Sequence, residues 1–176
     1  LAAKTDPPSH DLDPASGIAT NIIGTANLAT FCIRWNIRLV YISSDYVYRG
    51  PGLHKEDEPI WAPSNFIWSK IGGEAAVSMV PNHLIIRCSF GCRPFRHPAV
   101  YDDQLNSKMY VDEIAPMILQ ATKSDVNGIL NIGSEGQSLE EYARKTRPDI
   151  TTIPTPSWVP RDTRLDTTLW KSLFST

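Results

Sequence analysis

No stretch of this 176-residue chain approaches the roughly 20 consecutive apolar residues that a membrane span needs. The opening Leu1-Ala2-Ala3-Lys4-Thr5-Asp6 has neither the basic start nor the apolar run of a secretion signal, so an intracellular, cytoplasmic protein without membrane contact is expected. Cysteine is scarce. Cys32, Cys88 and Cys92 are an odd number in a chain too large to need cross-links, and they read as reduced thiols. His10, His54, His83 and His97 are scattered, and Cys88 and Cys92 have no second pair of ligands, so no metal site is expected. Charge of either sign is also in short supply: 17 basic against 19 acidic residues leave a net charge of -2, which offers no footprint for nucleic acid. With 41% apolar and 20% charged residues, the chain has the composition of one globular domain whose partners are small molecules or protein.

What is present is an alternation of helical and strand patterns. From Ala15 to Trp35, Ile18, Ala19, Ile22, Ile23, Ala26, Ala29 and Ile33 recur at helical spacing behind the start signal Asp13-Pro14, which predicts a long helix with one buried face. Ile37 to Ser43 reads as a strand covered on both faces, central in a parallel sheet. A Gly-, Pro- and acid-rich loop, 44–63, is long enough to demand a functional reason. Helix Ser64 to Val80, strand His83 to Cys88, a polar loop to Ser107, helix Asp112 to Thr122, strand Gly128 to Ile132 and helix Leu139 to Lys145 follow. The last is opened by the capping box Ser138-Leu139-Glu140-Glu141. Repeated strand and helix in this order predicts an α/β fold with a parallel sheet and right-handed crossovers.

Two segments carry chemical promise. The first strand ends in Ser43-Ser44-Asp45-Tyr46, hydroxyls and a carboxylate at the carboxyl end of a parallel strand, where ligands gather in open α/β sheets. A strand cap followed by a turn would use the same residues. Further on, Phe66 and Lys70 stand one helical turn apart on one face. With tyrosine in the first position, that spacing lets an ammonium lower a phenol's pKa while the phenol passes a proton to a carbonyl oxygen. Here the first residue is phenylalanine.

Four ordered blocks, Asn21-Ile22-Ile23-Gly24 to Leu28, Val40-Tyr41-Ile42-Ser43-Ser44-Asp45-Tyr46, Pro63-Ser64-Asn65-Phe66 through Lys70 to Glu74, and Ile86-Arg87-Cys88-Ser89-Phe90, resemble the extended short-chain dehydrogenase/reductases. Within these the chain is most similar to the dTDP-4-dehydrorhamnose reductase group of sugar-nucleotide enzymes. Tyr110-Val111-Asp112-Glu113 and Asn131-Ile132-Gly133 extend the likeness. The resemblance implies a doubly wound Rossmann-like fold, NADP or NAD as cofactor, a nucleotide sugar as partner and a Ser/Thr, Tyr, Lys catalytic set. It puts Ser44 on the carbonyl-binding hydroxyl, Phe66 on the tyrosine and Lys70 on the lysine that holds the nicotinamide ribose. By the same likeness Ala2, Ala3 and Asn21 belong with Lys70 on the cofactor side, Asp45 and Tyr46 face the sugar, and Ser89 and Phe90 join them in binding substrate. Residues 1–146 then form the C-terminal part of the Rossmann-like domain with its substrate loops, and the Pro- and Thr-rich residues 147–176 pack on it.

Two departures stand out. Phe66 has no proton to give. Leu1-Ala2-Ala3 resembles the end of the family's fourth strand, so the first strands and their glycine-rich phosphate turn have no counterpart here. The expectation is a sugar-nucleotide reductase by descent, NAD(P)-dependent in its relatives and inactive as the chain stands. The alternatives are a non-catalytic binding or regulatory subunit, or an enzyme whose N-terminal half is truncated or supplied by another protein chain.

Overall fold

The computed structural model describes residues 3–174. Helix α1, Pro7–Leu12, is capped by Asp6, and Asp13 caps the start of a continuous helical run made of α2 (Pro14–Gly17), a π-helical turn (Ile18–Ile23) and α3 (Gly24–Trp35). Asn36, in the left-handed region at φ 51°, ends that run, as a C-terminal cap requires. Strand β1, Leu39–Ile42, follows, and then helix α4, Asn65–Val77, capped by Ser64. Next come β2 (His83–Arg87), the short strands β3 (Phe90–Gly91), β4 (Ala99–Tyr101), β5 (Leu105–Asn106) and β6 (Met109–Tyr110), and helix α5 (Val111–Lys123). Strands β7 (Gly128–Asn131) and β8 (Gln137–Ser138), helix α6 (Leu139–Arg144), strands β9 (Thr151–Ile153) and β10 (Asp162–Thr163) and helix α7 (Thr168–Phe174) complete the chain. The predicted capping box forms as read, with Ser138 and Glu141 satisfying each other's backbone N–H groups.

The main sheet is parallel, in the order β1-β2-β7. Side chains alternate across it. Leu84, Ile86 and Leu130 meet Ile114 and Ala121 of α5, with Trp170 and Phe174 of α7 packed against the same cluster. On the other face Leu39 packs with Ala29, Cys32, Ala76 and Val80 of the α3–α4 side. The expectation of a central first strand is corrected here: among the described residues β1 has β2 as its one neighbour, its residues are half-buried, and β2 is the fully buried centre. The small strands β3 to β6 and β8 to β10, invisible as patterns of two or three residues, pair as β3-β6, β4-β9 and β10-β5-β8 around the loops beyond the sheet.

The long helix also departs from expectation. Its buried residues are Gly17, Asn21, Ala29 and Cys32, while Ile18, Ile23 and Ile33 lie exposed, because the π turn inserts an extra residue and shifts the phase of the face behind it. Helix Pro14–Trp35 is long and apolar enough to cross a membrane by length and composition alone, a test that a core helix also passes, although its Thr, Asn and Gly residues break up the apolar run as the sequence indicated. The helix packs on α4 at Gly73, where an added Cβ would lie 2.2 Å from the Tyr41 hydroxyl and 3.1 Å from the Asn21 carbonyl. Gly73→Ala should therefore lower stability by about 1–3 kcal/mol, outweighing the ~1 kcal/mol that alanine adds to a helix, a balance that urea unfolding measures.

Candidate functional site

The site lies where β1 and β2 end. Ser43 N–H donates to the Ile86 carbonyl at 2.7 Å and Asp45 N–H to the Cys88 carbonyl at 3.3 Å, so the two strand ends are tied together. Ser44 then caps a 3-10 turn, Asp45–Val47, with its hydroxyl accepting from Tyr46 N–H. That is the capping role a strand end followed by a turn implies. The same hydroxyl donates to Asp45 Oδ1 at 3.3 Å, and Thr163 of β10 donates to Asp45 Oδ2 at 2.8 Å. Burial pushes the Asp45 carboxyl above its ordinary range, against the pull of Lys108 and of these hydrogen bonds.

Lys70 comes from α4 and is buried, with 5% of its surface exposed. Its ammonium donates to the Ile42 carbonyl at 2.5 Å and lies over the Tyr41 ring at 4.3 Å. Burial lowers its pKa to about 8, partly offset by Glu74. Phe66, one turn earlier, meets His10 edge-on at 5.4 Å and packs with Tyr46 against the cluster of Val47, Tyr48, Ile67 and Leu165. The structure thus brings Ser44, Asp45 and Lys70 to the strand ends, with Phe66 and Tyr46 against one apolar cluster beside them. Tyr46 is held by Gln104, whose amide donates to the phenol oxygen at 2.6 Å and to the Pro160 carbonyl at 3.1 Å.

Asn21 is used internally. Its amide oxygen accepts from Lys4 N–H at 2.9 Å, and its NH2 donates to the Lys4 carbonyl and to Ser69 Oγ, each at 2.9 Å, fixing the chain before α1 to α4. Ala3 is exposed, and Ala2 lies outside the described residues. Ser89 Oγ accepts from the Lys108 ammonium at 3.3 Å, and Phe90 lines a cavity of about 200 Å³ with Gly91, Cys92, Phe95, Arg96, His97 and Lys108. A second, apolar cavity of about 390 Å³ lies between α1, the π turn and the outer face of α4, lined by His10, Ile18, Ile22, Trp68 and Gly72 among others. Sequence reading missed Thr163, Gln104 and Lys108. Thr163 stands 118 residues from Asp45, and no local pattern marks it.

The sequence resemblance implies a nicotinamide cofactor, and two polar groups at the strand ends have hydrogen-bonding capacity to spare for one end of it. The Ser43 hydroxyl is buried at the strand end with no hydrogen-bond partner among the described residues, and Lys70 has N–H groups to spare beyond its bond to Ile42. Such a pair suits a ribose and a carboxamide. For the pyrophosphate, no G-x-G-x-x-G turn opens a helix anywhere in the 176 residues.

Known proteins resemble the chain in sequence and in fold. The profile of the RmlD substrate binding domain matches residues 1–91. The dTDP-4-dehydrorhamnose reductase of Mycobacterium tuberculosis is 30% identical over 159 residues, covering 77% of this chain and 52% of the relative. The chain therefore spans about half the length of the curated relatives it matches. Among solved structures, the dTDP-4-dehydrorhamnose reductase of Bacillus anthracis in complex with NADP superposes with a TM-score of 0.84 at 21% identity, over 99% of this chain and 72% of that one. A dTDP-glucose 4,6-dehydratase from Streptomyces venezuelae, solved with NAD, superposes at 0.80 with 17% identity, over 98% and 65%. These likenesses establish a Rossmann-like α/β fold.

Proposed function

From the premise that this chain belongs to the RmlD substrate-binding domain family, within the extended short-chain dehydrogenase/reductases, we propose that it is the sugar-holding part of a sugar-nucleotide reductase and does not turn over by itself. The observation that carries this reading is the Ser44–Asp45–Thr163 hydrogen-bond chain beside Lys70 at the ends of two parallel strands. In this reading Ser44 reorients its hydroxyl from Asp45 to a keto oxygen, Asp45 and Tyr46 face the sugar, and Ser89 and Phe90 lie toward the nucleotide. The Arg96 guanidinium in the lining of that cavity suits a diphosphate. A nicotinamide, when bound, supplies hydride, and Lys70 would hold its ribose.

Phe66, which has no proton to give, favours ligand binding without catalysis, and a non-catalytic binding subunit fits the same residues. Titration calorimetry tests the reading. The chain should bind dTDP-4-dehydrorhamnose near the micromolar range, about -8 kcal/mol, and NADPH or NADH far more weakly, because backbone donors for the pyrophosphate are lacking. Phe66→Tyr alone should not start oxidation of NADPH. Micromolar affinity for NADPH, or no affinity for the sugar nucleotide, would sink the proposal.

A further inference from the structure

Two lysines approach the end of β2 from opposite sides. Lys70 comes from α4, and Lys108 comes from the turn between β5 and β6, which the pairing of β3 with β6 and the Met109 N–H bond to the Ser89 carbonyl at 3.2 Å hold against the strand end. Both charges are felt by the Cys88 thiol, which is 3% exposed and which burial pushes up to about 12, so it stays neutral and balances neither of them. Glu74, which acts on Lys70, is already paired with Arg87, and Asp45, which acts on Lys108, is itself drawn toward its neutral form by burial. Among the described residues neither ammonium is hydrogen-bonded to a carboxylate. Lys70 is committed to the Ile42 carbonyl. Lys108 has three N–H groups and, among the described residues, a single acceptor, Ser89 Oγ at a long 3.3 Å, while its stem lines the 200 Å³ cavity.

A fixed, under-used donor in an electropositive cavity is built to meet an oxygen carrying negative charge. Resting on the reading of the site as a keto-sugar site, we propose that Lys108 donates the hydrogen bond to the ligand's keto oxygen that the residue at position 66 cannot donate. The site then polarises the carbonyl from the cavity side, with the Ser44 hydroxyl beside it, and the phenyl ring of Phe66 serves as an apolar wall.

The test uses dTDP-4-dehydrorhamnose labelled with 13C at the keto carbon, bound to the intact chain and followed by NMR. The carbonyl resonance should move downfield on binding. In Lys108→Met, whose stem is similar in size, the shift should be lost and affinity should fall roughly tenfold relative to the unchanged binding of the 4-hydroxy compound dTDP-rhamnose. Lys108→Arg should retain part of the shift, which guards against a variant that merely folds poorly. A full downfield shift in Lys108→Met overturns the proposal while leaving the keto-sugar reading standing. Absence of binding by the unaltered chain overturns both. A borohydride-trapped adduct on Lys108 would show the amine forming an imine with the carbonyl and likewise overturns its role as hydrogen-bond donor.

Discussion

Lys70→Met should make the protein about 3 kcal/mol more stable at pH 7. An ammonium that ionises near 8 in the fold and at 10.5 in the unfolded chain is held at a cost of that order, because burial removes water that the Ile42 carbonyl and the Tyr41 ring replace only in part. The pH dependence has a definite sign. Below pH 8 the lysine is charged in both states and the whole penalty applies. Between 8 and 10.5 the folded chain gives up its proton first, the unfolded chain binds more protons, and stability rises with pH. The advantage of the methionine variant should therefore shrink across that window. The Cys88 thiol feels Lys70 and would shift with it, so the comparison is made in a Cys88→Ala background, where the difference between the urea midpoints isolates Lys70. A methionine variant less stable than the parent at pH 7 would show that the ammonium is held by stronger contacts than these. A charge kept in the interior at such a cost is what the ribose-holding role proposed for Lys70 would require.

The opposite outcome is expected one turn further along the same helix. Glu74 receives two hydrogen bonds from Arg87, from Nε at 3.1 Å and from Nη2 at 2.8 Å, with both side chains 5% exposed or less. Arg87 also donates to the Tyr48 hydroxyl at 2.9 Å, which in turn donates to Asn131 Oδ1 at 2.9 Å, so the pair joins α4, β2 and β7 beneath the site. Glu74→Gln leaves a guanidinium buried without its counter-charge, and a loss of about 3–5 kcal/mol follows. For a chain of this size that is a fall of roughly 8–15 °C in Tm. Replacing both partners with methionine should lose much less than the two single changes together, because no charge is then stranded. Additive losses in the double variant would show that the two residues do not act as a pair.

The residues that sequence reading found share one property: their geometry is local. Ser44 follows directly from the end of β1, Lys70 follows Phe66 by one turn, and the Ser138 capping box closes within four residues. What stayed hidden depends on distant parts of the chain. Thr163 reaches Asp45 from a strand of two residues, and Gln104 and Lys108, which flank another, reach Tyr46 and Ser89; the pairing of such strands is decided by tertiary packing and leaves no period to read. The exposure of Ile18, Ile23 and Ile33 was hidden for a different reason. An apolar period assumes 3.6 residues per turn, and the π turn at Ile18–Ile23 breaks it.

The ladder of the main sheet also sets how this chain reaches its fold. Leu39 pairs with His83 and Leu84 with Gly128, so each join in the sheet closes a loop of 44 residues that includes a complete helix. Nothing in the sheet can form as a hairpin. Such separations place the chain among slow folders, with helices able to appear in microseconds while the strands wait for the loops to close. During that wait the apolar strand His83–Arg87 is uncovered on both edges, and it is the segment most able to pair with another chain at high concentration.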